Sequence, residues 1–138
     1  MTIKEYLSQA YRIDQRINSK IEQLKDWHDL ATKATTTLSN TGFFKFKNNQ
    51  RMENTIIKII DLEQEINADI DKLIEIKKNI ITMIKTVKNP EYQTILELRY
   101  LGFKHWNQIA AFMGYGIDNV YKMHQKALKS IDFFKTLQ

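Results

Sequence analysis

Residues 52–87 read MENTIIKIIDLEQEINADIDKLIEIKKNIITMIKTV, and they decide the fold. Met52, Ile56, Ile59, Leu62, Ile66, Ile70, Leu73, Ile76, Ile80, Ile84 and Val87 recur at steps of three and four. At 3.6 residues per turn such spacing lays one apolar stripe along an α-helix. Ile57, Ile60, Ile74 and Ile81 widen the stripe beyond what one neighbouring helix covers. A third surface is therefore expected against it, either the C-terminal segment or a second copy of the chain.

Toward the N-terminus, Thr2 and Glu5 have the spacing of a capping box, which predicts a helix start. From there Ile3, Leu7, Ala10, Ile13, Ile17, Ile21, Leu24, His28, Ala31, Thr35 and Leu38 form a second stripe. The helix should run about 37 residues, or ~55 Å, and stop at Ser39-Asn40-Thr41-Gly42, where Gly42 suits left-handed backbone. With a short connection at 39–49, the two helices form an antiparallel hairpin in which residue n faces roughly residue 90 minus n. Arg16, Lys20 and Lys25 then approach Ile74, Ile70 and Glu65, so a basic run lies beside the acids of residues 61–75. Such pairs set register more than stability, at ~0 to 1 kcal/mol each on a surface. In the connection, Phe43, Phe44 and Phe46 alternate with Lys45 and Lys47. The phenylalanines either cap the open end of the hairpin core or make a partner or nucleic-acid contact; burial is the commoner fate of three aromatic residues in a tip.

Toward the C-terminus, Asn89-Pro90-Glu91 ends the second helix and begins a third, with Asn89 as cap and Pro90 in the first turn. The expected organisation is all-α: a long, coiled-coil-like helical hairpin over residues 1–88, then a three-helix unit over 89–138. That unit divides into PEYQTILELRYL, HWNQIAAFMG and GIDNVYKMHQKALKSIDFF, split by Gly102 and by Gly114-Tyr115-Gly116. Three short helices of this layout suit a helix-turn-helix. Ile95, Leu98, Leu101, Phe103, Ile109, Ala110, Met113, Ile117, Val120, Met123, Ala127 and Ile131 can close its core. The outward positions of the last helix then carry Asp118, Asn119, Tyr121, Lys122 and Gln125, whose donors and acceptors suit base edges. Lys104, Lys126 and Lys129 suit phosphates.

Composition bounds the function. A chain of 138 residues is one ordinary domain or a small head on a stalk. Net charge is +5, with Lys122, Lys126, Lys129 and Lys135 gathered near the C-terminus, which favours a polyanionic partner only weakly. Absence of cysteine removes disulfides and thiolate chemistry. The N-terminus has charges every few residues and does not read as a secretory signal, and no run has the ~18 unbroken apolar residues of a membrane span. No Gly-rich phosphate loop, H-E-x-x-H motif or activated nucleophile is found, so neither catalysis nor a cofactor is expected. His28, His105 and His124 are far apart and read as packing or hydrogen-bonding groups. Asp61, Glu65 and Asp69 share a helix face, but with no opposing ligand helix they read as solvated or lysine-paired rather than as a metal site.

The stretch 95–131, ILELRYLGFKHWNQIAAFMGYGIDNVYKMHQKALKSI, resembles the fourth conserved region of bacterial sigma factors. Leu96 to Tyr100 matches its L-x-L-R-Y signature, Gln108-Ile109-Ala110 its E-I-A core and Met113-Gly114 its turn, with Val120 and Ala127 at inward positions of the recognition helix. The chain departs from that pattern at His105 and Gly116, where Ser or Thr usually caps a helix, and at Met123 and Gln125, often basic there; nothing resembles the promoter-melting region. With the run RMENTIIKIIDLEQEINADID included, nearly the whole chain resembles small phage and prophage transcription regulators of Gram-positive bacteria. The resemblance implies a cytoplasmic, sequence-specific regulator in the bacterial host. Its expected partner is double-stranded DNA, while the hairpin would either join a second copy in a homodimer, as its wide apolar stripe suggests, or contact RNA polymerase. A small-terminase-like DNA-packaging subunit is the alternative, since such proteins also join a helix-turn-helix to helical oligomerisation segments.

Overall fold

The computed structural model describes the backbone of residues 1–37 and 42–132 and the side chains of residues 1–33 and 50–132. These residues form five α-helices and no strand: α1 (Ile3–Thr37), α2 (Gly42–Lys85), α3 (Pro90–Leu96), α4 (Trp106–Met113) and α5 (Ile117–Lys129). Helix α3 runs on into a π-helical turn, Glu97–Leu101. No helix among the described residues is long and apolar enough to cross a membrane.

Local chemistry accounts for the helix ends. The Thr2 and Glu5 box is reciprocal: Thr2 N–H donates to Glu5 Oε2 and Glu5 N–H to Thr2 Oγ1, both at 3.1 Å, so two N–H groups that a helix start leaves free are satisfied. The Asn89 side chain accepts from Glu91 N–H at 2.9 Å, and Pro90 occupies the first turn of α3. The start of α2 differs from the expectation. A connection through residue 49 is predicted, whereas α2 already begins at Gly42. Beyond Gly42 nothing in FFKFKNN is a strong breaker, and Phe, Lys and Asn each cost well under ~1 kcal/mol in a helix. Leu38, the expected end of the α1 stripe, Ser39 to Thr41 of its expected stop, and the phenylalanine side chains of the tip lie outside the described residues.

The chain divides into two compact units, Gln15–Asp71 and Met1–Asp14 with Lys72–Gln138. In the first, Ile17 of α1 and Ile59, Leu62 and Ile66 of α2 are buried. Lys20 Nζ reaches Asp69 Oδ2 at 2.6 Å and Glu65 Oε2 at 3.9 Å. Residue numbers of the closer pair add to 89, one off the register expected for an antiparallel pair. Asp69 is 5% exposed, and the ammonium compensates a carboxylate that burial alone would penalise heavily. This ties down the row Asp61, Glu65 and Asp69: two of its acids face Lys20, and Asp61 is exposed.

The second unit has one principal core, made of Leu7, Ala10, Ile80, Met83, Ile84, Val87, Leu96, Tyr100, Ala127 and Ile131. A smaller cluster gathers Ile95, Ile109 and Val120, with Leu98, Trp106, Ala110, Met113 and Met123 partly buried against it. Each fully buried aliphatic side chain contributes ~1.5 to 3 kcal/mol. The C-terminal helices thus share a core with the ends of α1 and α2, and the sequence break at 88/89 falls inside one compact unit.

Candidate nucleic-acid interface

Helix α4 starts at His105, whose backbone N–H donates to Gln108 Oε1 at 3.0 Å. The glutamine thereby supplies half of a capping box that the sequence lacks in its usual Ser or Thr form. The helix ends at Gly114, which takes left-handed backbone at φ 75°. Gly114 and Tyr115 N–H both donate to Ala110 O, at 3.0 and 3.2 Å, closing the turn. A side chain at 114 would meet nothing within 4 Å, so the positive φ alone favours glycine. The Tyr115 hydroxyl donates to the Glu91 carboxylate at 3.0 and 3.1 Å, anchoring the turn to the start of α3. This hydrogen bond and the adjacent negative charge raise the Tyr115 pKa. Gly116, in extended backbone, then precedes α5.

Helix α5 has two distinct sides. Val120, His124 and Ala127 are buried, whereas Asp118, Asn119, Tyr121, Lys122, Gln125, Lys126 and Lys129 are all exposed. At 100° per residue, Asp118, Lys122, Gln125 and Lys129 form the row farthest from the core. Asn119 and Lys126 flank it on one side, Tyr121 on the other. Asp118 in the first turn and Lys126 and Lys129 in the last match the helix dipole. Lys104 is exposed but stands on a different element, the loop before α4, where it borders a surface pocket with Leu98, Gln108, Ile109 and Phe112.

Beneath α5 lies a cluster that periodicity does not reveal. Tyr100 Oη and His124 Nε2 are 2.6 Å apart, and both side chains are buried. Burial pushes the Tyr100 hydroxyl up to about 12, a shift the nearby Arg99 opposes. Burial pushes His124 down to about 4, helped by the positive charges of Lys4 and Arg99. The pair is therefore neutral at pH 7, with the phenol suited to donate to the imidazole. Trp106 packs edge-on against His124 at 4.5 Å and Tyr121 at 5.5 Å. The Arg99 guanidinium lies 4.6 Å from the Trp106 ring, and Arg99 Nη1 donates to Lys104 O at 3.0 Å. Tyr121 is thus held by an aromatic neighbour that is itself held by Arg99. The loop preceding α4 includes Phe103 at φ 56°, an unusual conformation for a bulky residue. Its ring meets Tyr11 at 5.6 Å and the Lys77 ammonium at 4.9 Å, contacts that offset the backbone strain.

Residues 45–132, well over half of the chain, match the model of a family described as Protein of unknown function (DUF1492). The chain belongs to this family. The match takes in the described turns and helices from the first part of α2 through α5 and ends at Asp132, so the family unit contains both the smaller core and the outward row of α5. Neither the curated proteins nor the solved structures give a match.

Proposed function

We propose that α3, α4 and α5 act as a helix-turn-helix that binds double-stranded DNA in transcription regulation, with α5 in the major groove, carried by an antiparallel hairpin of α1 and α2. The observation that carries the reading is the two-sidedness of α5. A short helix anchored through Val120, His124 and Ala127 leaves Asp118, Asn119, Tyr121, Lys122 and Gln125 exposed together, the mixture of donors and acceptors that base edges require. The resemblance of residues 95–131 to sigma region 4 supports it, since Gln108 falls in the E-I-A core of that pattern and accepts from the cap residue His105, and Gly114 falls in its turn. Lys126, Lys129 and Lys104 would grip phosphates, and Asn119 and Lys122 would read bases. RNA polymerase is the further partner that this reading implies.

Selection of bound sequences from random duplexes tests the assignment. Wild type should enrich one motif, and Asn119→Ala and Lys122→Ala should each relax a different position within it. No enrichment, or an unchanged motif in both variants, would refute the reading face.

A further inference from the structure

Helix α2 carries a second apolar seam beside the buried one. Ile56, Ile60, Glu63, Asn67, Ile70 and Ile74 follow one another at steps of four, three, four, three and four, the spacing of a coiled-coil contact line. All six are exposed, the isoleucines by 37% to 47%. The buried positions Ile59, Leu62, Ile66 and Asp69 lie on another side of the same helix. Four half-exposed isoleucines in one line are not the scattered apolar residues of an ordinary surface.

From Ile56 to Ile74 the seam is also a palindrome: two isoleucines, Glu63, Asn67, two isoleucines, at spacings that read the same in either direction, with exposed Ile81 a further heptad along the line and outside the symmetric stretch. We infer that it pairs with the same seam of a second copy, antiparallel about a two-fold axis near Glu65. In that register Ile56 faces the partner's Ile74, Ile60 faces the partner's Ile70, and the Glu63 carboxylate faces the partner's Asn67 amide. A two-fold interface requires such self-complementarity, because each residue meets its mirror position in the partner. A parallel pairing would set Glu63 against itself, so charge selects the antiparallel orientation. A polar pair amid an apolar seam fixes register in helical pairings generally, at a cost in affinity. The seam uses no residue of α3, α4 or α5, so the inference stands apart from the DNA-binding proposal.

Sedimentation equilibrium of the full chain measures the association. The expected result is a monomer–dimer equilibrium whose midpoint moves up at least ~100-fold in Ile60→Glu, a charge with no partner in an apolar seam. Circular dichroism checks that this exposed substitution leaves the fold intact. Orientation is read by disulfide trapping in a chain that has no cysteine of its own. A mixture of Glu63→Cys and Asn67→Cys should cross-link to each other, and neither variant should cross-link to itself. A chain monomeric at all concentrations, a stoichiometry above two, an Ile60→Glu variant that associates like wild type, or self-cross-linking of Glu63→Cys would overturn the inference.

Discussion

Acidification should weaken the protein through His124. Its folded-state pKa of about 4 lies below its ordinary 6.5, so between those values the unfolded chain binds a proton that the folded chain lacks. Stability is then full above about pH 6.5 and falls as pH drops toward 4. A gap of about 2.5 pH units, at about 1.4 kcal/mol each, makes the total loss about 3 to 4 kcal/mol. This is a large share of the ~5 to 15 kcal/mol that stabilises a typical domain. The assay is urea unfolding followed by circular dichroism at half-unit steps from pH 7 to 4, in wild type and His124→Gln. Glutamine keeps a polar group near Tyr100 and removes the titration, while every carboxylate that also titrates in this range is common to both proteins. The wild-type stability minus the variant's should fall as pH drops below about 6.5, with a slope approaching about 1.4 kcal/mol per pH unit midway between the two pKa values. Parallel curves would refute the argument, because His124 would then gain its proton as readily in the core as in water.

Three further outcomes follow from particular contacts. Gly114→Ala should cost about 1 kcal/mol in thermal or urea unfolding, since the added carbon meets no atom within 4 Å and only the left-handed backbone opposes it. Lys20→Met should cost about 3 kcal/mol by removing the ammonium 2.6 Å from the buried Asp69 carboxylate; adding Asp69→Leu should recover most of that loss in a double-mutant cycle. For DNA binding, log affinity against log salt should have a slope of about −4 to −5, and Lys126→Ala and Lys129→Ala should each reduce its size by about 1, measured by fluorescence anisotropy.

Features set by neighbours in the chain were legible in the sequence. Thr2 with Glu5 and Asn89 with Pro90 mark helix starts through contacts three residues or fewer apart. The two long stripes placed Lys20 within a residue of the partner it takes. The outward row of α5 could be read in the same way, because helical periodicity separates Val120, His124 and Ala127 from Asp118, Lys122 and Gln125. What escaped was information carried by distant contacts. The expected three-helix core divides instead, with Ala127 and Ile131 joining Leu7 and Ile80, because apolar periodicity names a buried side without naming its neighbour. Arg99, Trp106 and Tyr121 are separated by 22 residues at the extremes, and no local spacing announces their stacking. The early start of α2 was hidden for another reason: Gly42 reads more readily as a helix end than as a helix start, although Lys is a good helix former and Phe a tolerated one.

The π-helical turn at Glu97–Leu101 acts as a phase adjuster. Its wider winding, seen in the Gly102 N–H to Glu97 O bond at 2.9 Å, inserts one residue's worth of rotation into an otherwise ordinary helix. Before it, Ile95 faces the smaller cluster and Leu96 the larger. Across it, Leu98 again faces the smaller and Tyr100 the larger, and Arg99 still reaches the Trp106 ring. One short segment is thereby engaged with both cores at once, like a gear tooth meshed on two sides. Any repacking of the larger core about Tyr100 must turn the same helix that supports Trp106, and with it the tyrosine at the edge of α5.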